Sequence, residues 1–150
     1  MPKKHALPSF LENVVSQDVY SEWLRRKAQA HVRRDRKRGR ICSNSIYKDA
    51  IHLAVVSSGG KDAYTGEQLD WRLIGTYRNE DSKAGRHSYK AGFAMLPTID
   101  HAIAHATDID FKICAWQTND VKNDLSHESL IEFAKKILAR AGYLIEKPNQ

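Results

Sequence analysis

The 150-residue sequence is poor in cysteine, with only Cys42 and Cys114, far apart and outside any C-x-x-C pair. Two such cysteines exclude a disulfide framework and a four-cysteine zinc site, and they read as reduced thiols of a cytosolic protein. No apolar run approaches the roughly 20 residues that cross a bilayer. Met1-Pro-Lys-Lys-His5 lacks the apolar stretch of a signal peptide, so the expectation is a soluble, cytoplasmic protein without a membrane partner. Internal repeats are absent. Low complexity is confined to one basic block.

That block is the first positive feature. The formal net charge is +6. From Arg25 to Arg40 stand nine Lys or Arg residues and one acid, Asp35, while the rest is close to balanced. A basic block in a near-neutral chain suggests a polyanionic partner. Its arginines favour phosphate, with Arg33, Arg34 and Lys37 as candidate nucleic-acid contacts. The charge is spread around the helix, so a plainly solvated helix competes with that reading.

Local patterns organise the chain. A loose arm ends at Pro8, and Ser9 to Val15 reads as a short helix. Ser16 to about Lys37 reads as a long helix with Val19, Trp23, Ala28 and Ala30 on its apolar side, stopped by Gly39. Ser43 or Ser45 caps a helix that runs to about Ser57, with Ile46, Ala50, Leu53 and Ala54 at helical spacing and Gly59-Gly60 as its end. Tyr64-Thr-Gly-Glu67 reads as a turn. Leu69 to Ile74 reads as a strand, Arg78 to Lys90 as a polar loop, and Phe93 to Ile99 and Phe111 to Trp116 as strands. Ser126 opens a helix to about Ala141, with Leu130, Phe133, Ala134, Ile137 and Leu138 on one face and Gly142 as its stop. Trp23, Trp71 and Trp116 are core candidates. The order implies an α+β fold, with a helical region over 1–60 and a second region over 61–150 that form one compact unit.

The chemistry-bearing stretch is Leu96-Pro-Thr-Ile-Asp100-His101, then Asp110-Phe-Lys-Ile-Cys-Ala-Trp-Gln-Thr-Asn119-Asp-Val-Lys122-Asn123-Asp-Leu-Ser126. An Asp-His pair alone arises by chance, and Asn119 to Leu125 alone is a capped helix start. Together and in order they resemble the signature of the HNH (His-Me finger) endonucleases. That signature has Asp-His at a strand end, a middle Asn, an Asn or His nine residues later, a Lys three residues on, then a small residue, Asp and Leu. The resemblance covers about residues 63–140 and includes the Tyr64-Thr65-Gly66 turn.

The resemblance implies a ββα-metal core braced by the N-terminal helices and followed by a C-terminal helix. It implies an endonuclease that hydrolyses DNA phosphodiester bonds, leaving a 5′-phosphate and a 3′-hydroxyl. His101 would be the general base, a role that suits an imidazole near neutral pH. Asp100 and Asn119, with Asn123 in support, would hold Mg²⁺ or another divalent ion such as Mn²⁺ or Ni²⁺ through oxygen ligands. Lys122 would contact phosphate, and Arg86 and Lys90 of the polar loop are further candidates, as His87 is; His105 could face the site. Asp110 stands where the family has the middle Asn that pins the loop carrying the base, and Asp108 is an alternative. The loop from His101 to Asp110 is short, and the paired cysteines of a structural zinc are missing, so no zinc is expected. The rival readings are a degenerate fold that binds nucleic acid without cutting and, more weakly, a ribonuclease. A homodimer suits an enzyme with one active site and two strands to cut.

One condition comes from geometry alone. Neighbouring side chains on a regular strand point to opposite faces. Asp100 and His101 therefore serve one phosphate only if the chain bends there.

Overall fold

The structure is a computed structural model describing residues 3–76, 80, 91–101 and 109–149. Arg86, His87 and Lys90 of the polar loop, and His105 and Asp108 of the crossing that follows His101, lie outside the described residues. Among those described, the fold is α+β.

A 3₁₀ turn at Ser9–Leu11 leads into α1 (Gln17–Lys37), whose first turn is capped by Ser16 Oγ accepting from the Val19 N–H. Helix α2 (Asn44–Ser58) is capped by Ser43, not Ser45, and ends at Gly59 with φ 58°. Gly60 follows with φ 88°, and a Cβ there would lie 3.0 Å from the Phe10 ring. Both the backbone and the close approach therefore require glycine.

The buried stripes are set by the largest apolar groups. On α1 the stripe runs through Tyr20, Trp23, Leu24, Ala28 and Val32, so Ala30 is peripheral. On α2 it is Tyr47, Ile51 and Val55 that are buried, whereas Ile46 and Leu53 are exposed. Two apolar rows share α2, and the one spaced four residues apart from Tyr47 faces the core. Leu69 to Ile74 is not a strand. A bridge pairs Lys61 with Gln68, and Trp71–Gly75 is a 3₁₀ turn whose start is capped by Asp70. The turn drives Trp71 and Ile74 inward, where the Trp71 indole donates to the Gly60 carbonyl at 3.1 Å.

The sheet has two strands. β1 (Pro97–His101) starts later than the sequence suggests, because Pro97 lacks the N–H needed inside a ladder and opens the strand instead. β2 (Phe111–Ala115) pairs with it antiparallel, placing Asp100 opposite Lys112 and His101 opposite Phe111. Trp116 begins α3 (Trp116–Lys122), and α4 (His127–Arg140) follows with Ser126 as its cap. One hydrophobic cluster runs from Leu11 through α1, α2 and the 3₁₀ turn to Ile99, Ile113 and Ala115, with Trp116 half-buried against it. None of α4 is buried. Among the described residues no helix is long and apolar enough to cross a membrane.

Candidate active site

The hairpin and α3 enclose one end of an open cleft of about 1380 Å³. Its lining includes Asp100, His101, Asn119, Lys122 and Asn123. The opposite wall comes from α1, where His31, Arg34, Asp35 and Arg38 recur at helical spacing, with Arg40 just beyond. Arg33 and Lys37 are exposed on other sides of α1 and do not line it.

A buried carboxylate fixes the hairpin and α3 side of the cleft. Asp62 accepts from the backbone N–H groups of Tyr64 (2.7 Å), Thr65 (3.0 Å) and Ala115 (2.8 Å) and from the Thr118 hydroxyl (2.6 Å). Burial opposes its charge, but these donors outweigh burial and hold the carboxyl below the usual carboxylate range. Asp62 therefore ties the Tyr64 turn to the junction of β2 and α3. The sequence carried its signal, an Asp two residues before Tyr64 in a turn, as an Asx turn requires.

Asp100 and His101 obey the alternation of a regular strand, so the bend that a shared phosphate requires is not present in this structure. Asp100 is buried, and its Oδ2 meets the Lys122 ammonium at 3.0 Å and accepts from the Tyr64 hydroxyl. Burial and this carboxylate push the Tyr64 phenol far above its ordinary range. Lys122 is itself 3% exposed. Its ammonium thus closes a buried ion pair at the back of the cleft.

His101 turns the other way, toward the N-terminal helices. Its Nε2 lies 3.1 Å from Asp35 Oδ2 and 3.3 Å from the Arg40 guanidinium, and its ring packs edge-on against Phe111 at 4.9 Å. Asp35 is 1% exposed, accepts from the Tyr47 hydroxyl, and lies 3.6 Å from Arg40. Burial works against its ionisation, but Tyr47, His101 and Arg40 together hold its carboxyl below the usual range. A carboxylate only accepts and a guanidinium only donates. Both contacts fall on Nε2, the shorter one to Asp35. Among the described residues the Nδ1 atom is buried with no hydrogen-bond partner.

Asn119 and Asn123 come from the next element. The Asn123 N–H donates to the Asn119 carbonyl at 2.8 Å and completes the last turn of α3. Asn123 then leaves the helix with φ 50°, a strained conformation for a residue with a side chain. Asp110 lines the cleft mouth with its carboxylate 3.7 Å from the Lys112 ammonium.

The donor chemistry suits a hard divalent cation. Among the described residues both contacts to Asp100 fall on Oδ2, and Asn119 and Asn123, whose amide oxygens could serve as neutral donors, line the same cleft. Among the described residues no group of three His, Cys, Asp or Glu forms a ready metal cluster. A cation would therefore rest on one carboxylate, amide oxygens, water and substrate phosphate, the pattern Mg²⁺ tolerates. No family model, curated protein or solved structure matches the chain.

Proposed function

We propose that this protein is a divalent-cation-dependent endonuclease that hydrolyses phosphodiester bonds in DNA at the cleft between α1 and the β1–β2–α3 unit. The observation that supports this most is the gathering of Asp100, His101, Asn119 and Asn123 on one cleft whose far wall carries Arg34, Arg38 and Arg40. A strand pair followed by a helix is the arrangement the HNH resemblance implies.

His101 is the proton acceptor. Asp35 orients the ring through Nε2, and for the buried Nδ1 to take a proton from the attacking water the chain must bend at His101 when substrate binds, bringing the ring to the Asp100 side. A divalent cation at Asp100, Asn119 and Asn123, when bound, supplies charge neutralisation for the scissile phosphate and the departing oxygen. Arg34 and Arg38 hold the polynucleotide backbone by charge, without reading base sequence. Lys122 stays with Asp100 and sets its orientation.

The test is nicking of supercoiled plasmid in Mg²⁺, Mn²⁺ or Ni²⁺ against EDTA. Metal-dependent nicks with 5′-phosphate ends support the reading. A second reading, nucleic-acid binding without cutting, draws on the Lys122–Asp100 pair, which already neutralises the carboxylate a metal needs. Salt-sensitive DNA binding with no nicking in any of the three metals selects it.

A further inference from the structure

The C-terminal helix carries an inference independent of the cleavage reading. None of its residues is buried among those described, yet Ile131, Phe133, Ile137 and Leu138 are 40–55% exposed large apolar groups. At its start the His127 ring lies 5.3 Å from that of Tyr64. Tyr143 and Leu144, just beyond its end, are 66% and 95% exposed. An apolar row of this kind on a helix marks a missing partner.

The sequence of α4 says which partner. Outward from Ala134 in both directions, apolar residues fall at the third and fourth steps: Ile131 and Ile137, then Leu130 and Leu138. At 3.6 residues per turn these five positions share one face, with the small Ala134 at its centre. The charges are opposite about the same point. Glu128 and Glu132 occupy the first half, and Lys135, Lys136 and Arg140 the second. A pattern symmetric in apolar groups and antisymmetric in charge complements itself when a second copy lies antiparallel. Each acidic end then meets a basic end, the helix dipoles oppose, and alanine faces alanine at close approach.

We infer that α4 is a homodimerisation element, pairing antiparallel with α4 of a second copy about a two-fold axis through Ala134. The helix is about 21 Å long. A stable interface takes roughly 800 Å² from each partner. Phe133 on the flank and Tyr143 and Leu144 beyond the end extend the contact toward that size.

Sedimentation velocity on the full chain over roughly 1 to 100 µM tests this. The expected result is a monomer–dimer equilibrium that Ile137→Asp shifts wholly to monomer, while the near-ultraviolet signal of buried Trp23 and Trp71 is kept. A wild type that stays monomeric throughout, or an Ile137→Asp variant that still dimerises, overturns the inference. Orientation is read by oxidative cross-linking in a Cys42→Ser background. Ala134→Cys is expected to cross-link with its copy. Leu130→Cys is expected not to, because an antiparallel copy sets the two Cα atoms about 12 Å apart along the axis, beyond disulfide reach. Cross-linking of Leu130→Cys as efficient as that of Ala134→Cys contradicts the antiparallel pairing.

Discussion

Two neighbours on β1 meet opposite kinds of support. Asp100 is a carboxylate steadied by a cation and a phenol, Lys122 at the end of α3 and Tyr64 from a turn 36 residues earlier in the chain. His101 is a base steadied by a carboxylate, Asp35, which itself rests on Tyr47 and Arg40 of the N-terminal region. The first set closes over at most 36 residues. The second spans 66 residues. The Asp100 side, to which the proposed function gives the metal, draws on the nearer contacts, and the His101 side, to which it gives the proton transfer, depends on α1 packing against the hairpin.

The comparison breaks most sharply on the Asp100 side. Lys122→Met leaves a buried carboxylate with a phenol as its remaining partner, and removing one member of a buried ion pair costs about 3 kcal/mol. Urea unfolding is expected to show that loss, and Asp100→Asn added to Lys122→Met is expected to recover part of it. Asp35→Ala is expected to cost less, about 2 kcal/mol, because the Arg40 it pairs with reaches water. If the Asp35 loss exceeds the Lys122 loss, the ranking of the two supports is wrong. Tyr47→Phe removes one hydrogen bond to a charged group and is expected to cost about 1.5 kcal/mol in the same titration.

Acid sharpens the comparison from the α1 side. Burial first, then the charges of Arg34 and Lys27, push the His31 imidazole down to about 3. An unfolded histidine titrates near pH 6.5. Between those values the unfolded chain binds a proton that the folded chain refuses. Stability is therefore full above pH 6.5 and falls as pH drops, by up to about 1.4 kcal/mol per unit. Asp35 and Asp62, held below the ordinary carboxylate range, add a further loss that begins only below about pH 4. His31→Leu is expected to flatten the curve from pH 6.5 to 4 and leave the lower part. A variant that keeps the wild-type slope there contradicts the neutral burial of His31.

What the sequence made legible follows the same division. The helices over Gln17–Lys37, Asn44–Ser58 and His127–Arg140 were visible because caps and stops are local: Ser16, Ser43, Ser126 and the glycines. Both strands were visible as short apolar runs, apart from their ends at Pro97 and Trp116. The span from Leu69 to Ile74 misled because Trp71 and Ile74 are buried by a 3₁₀ turn, whose three-residue spacing a short apolar run does not distinguish from a strand. The α2 face misled because two apolar rows overlap and only tertiary packing chooses between them. In the candidate site, Asp100, His101, Asn119 and Asn123 were named through the family resemblance, and the structure lines one cleft with all four. Asp35 and Tyr47 were missed, since nothing local announces a pairing across 66 residues. The one hint was Asp35 itself, a solitary acid inside a basic block. Lys122 was read as a phosphate contact from its place in the motif, and the structure sets it in the buried pair with Asp100.

The central claim is that the His101 imidazole, held by Asp35, takes the proton from the attacking water. Single-turnover plasmid nicking by wild type and His101→Ala, at matched DNA occupancy and with the metal that supports the fastest wild-type cutting, tests it most directly. The account predicts a rate lower by roughly 10²- to 10⁴-fold for the variant, with DNA affinity unchanged. A clean His101→Ala preparation that nicks at the wild-type rate contradicts it.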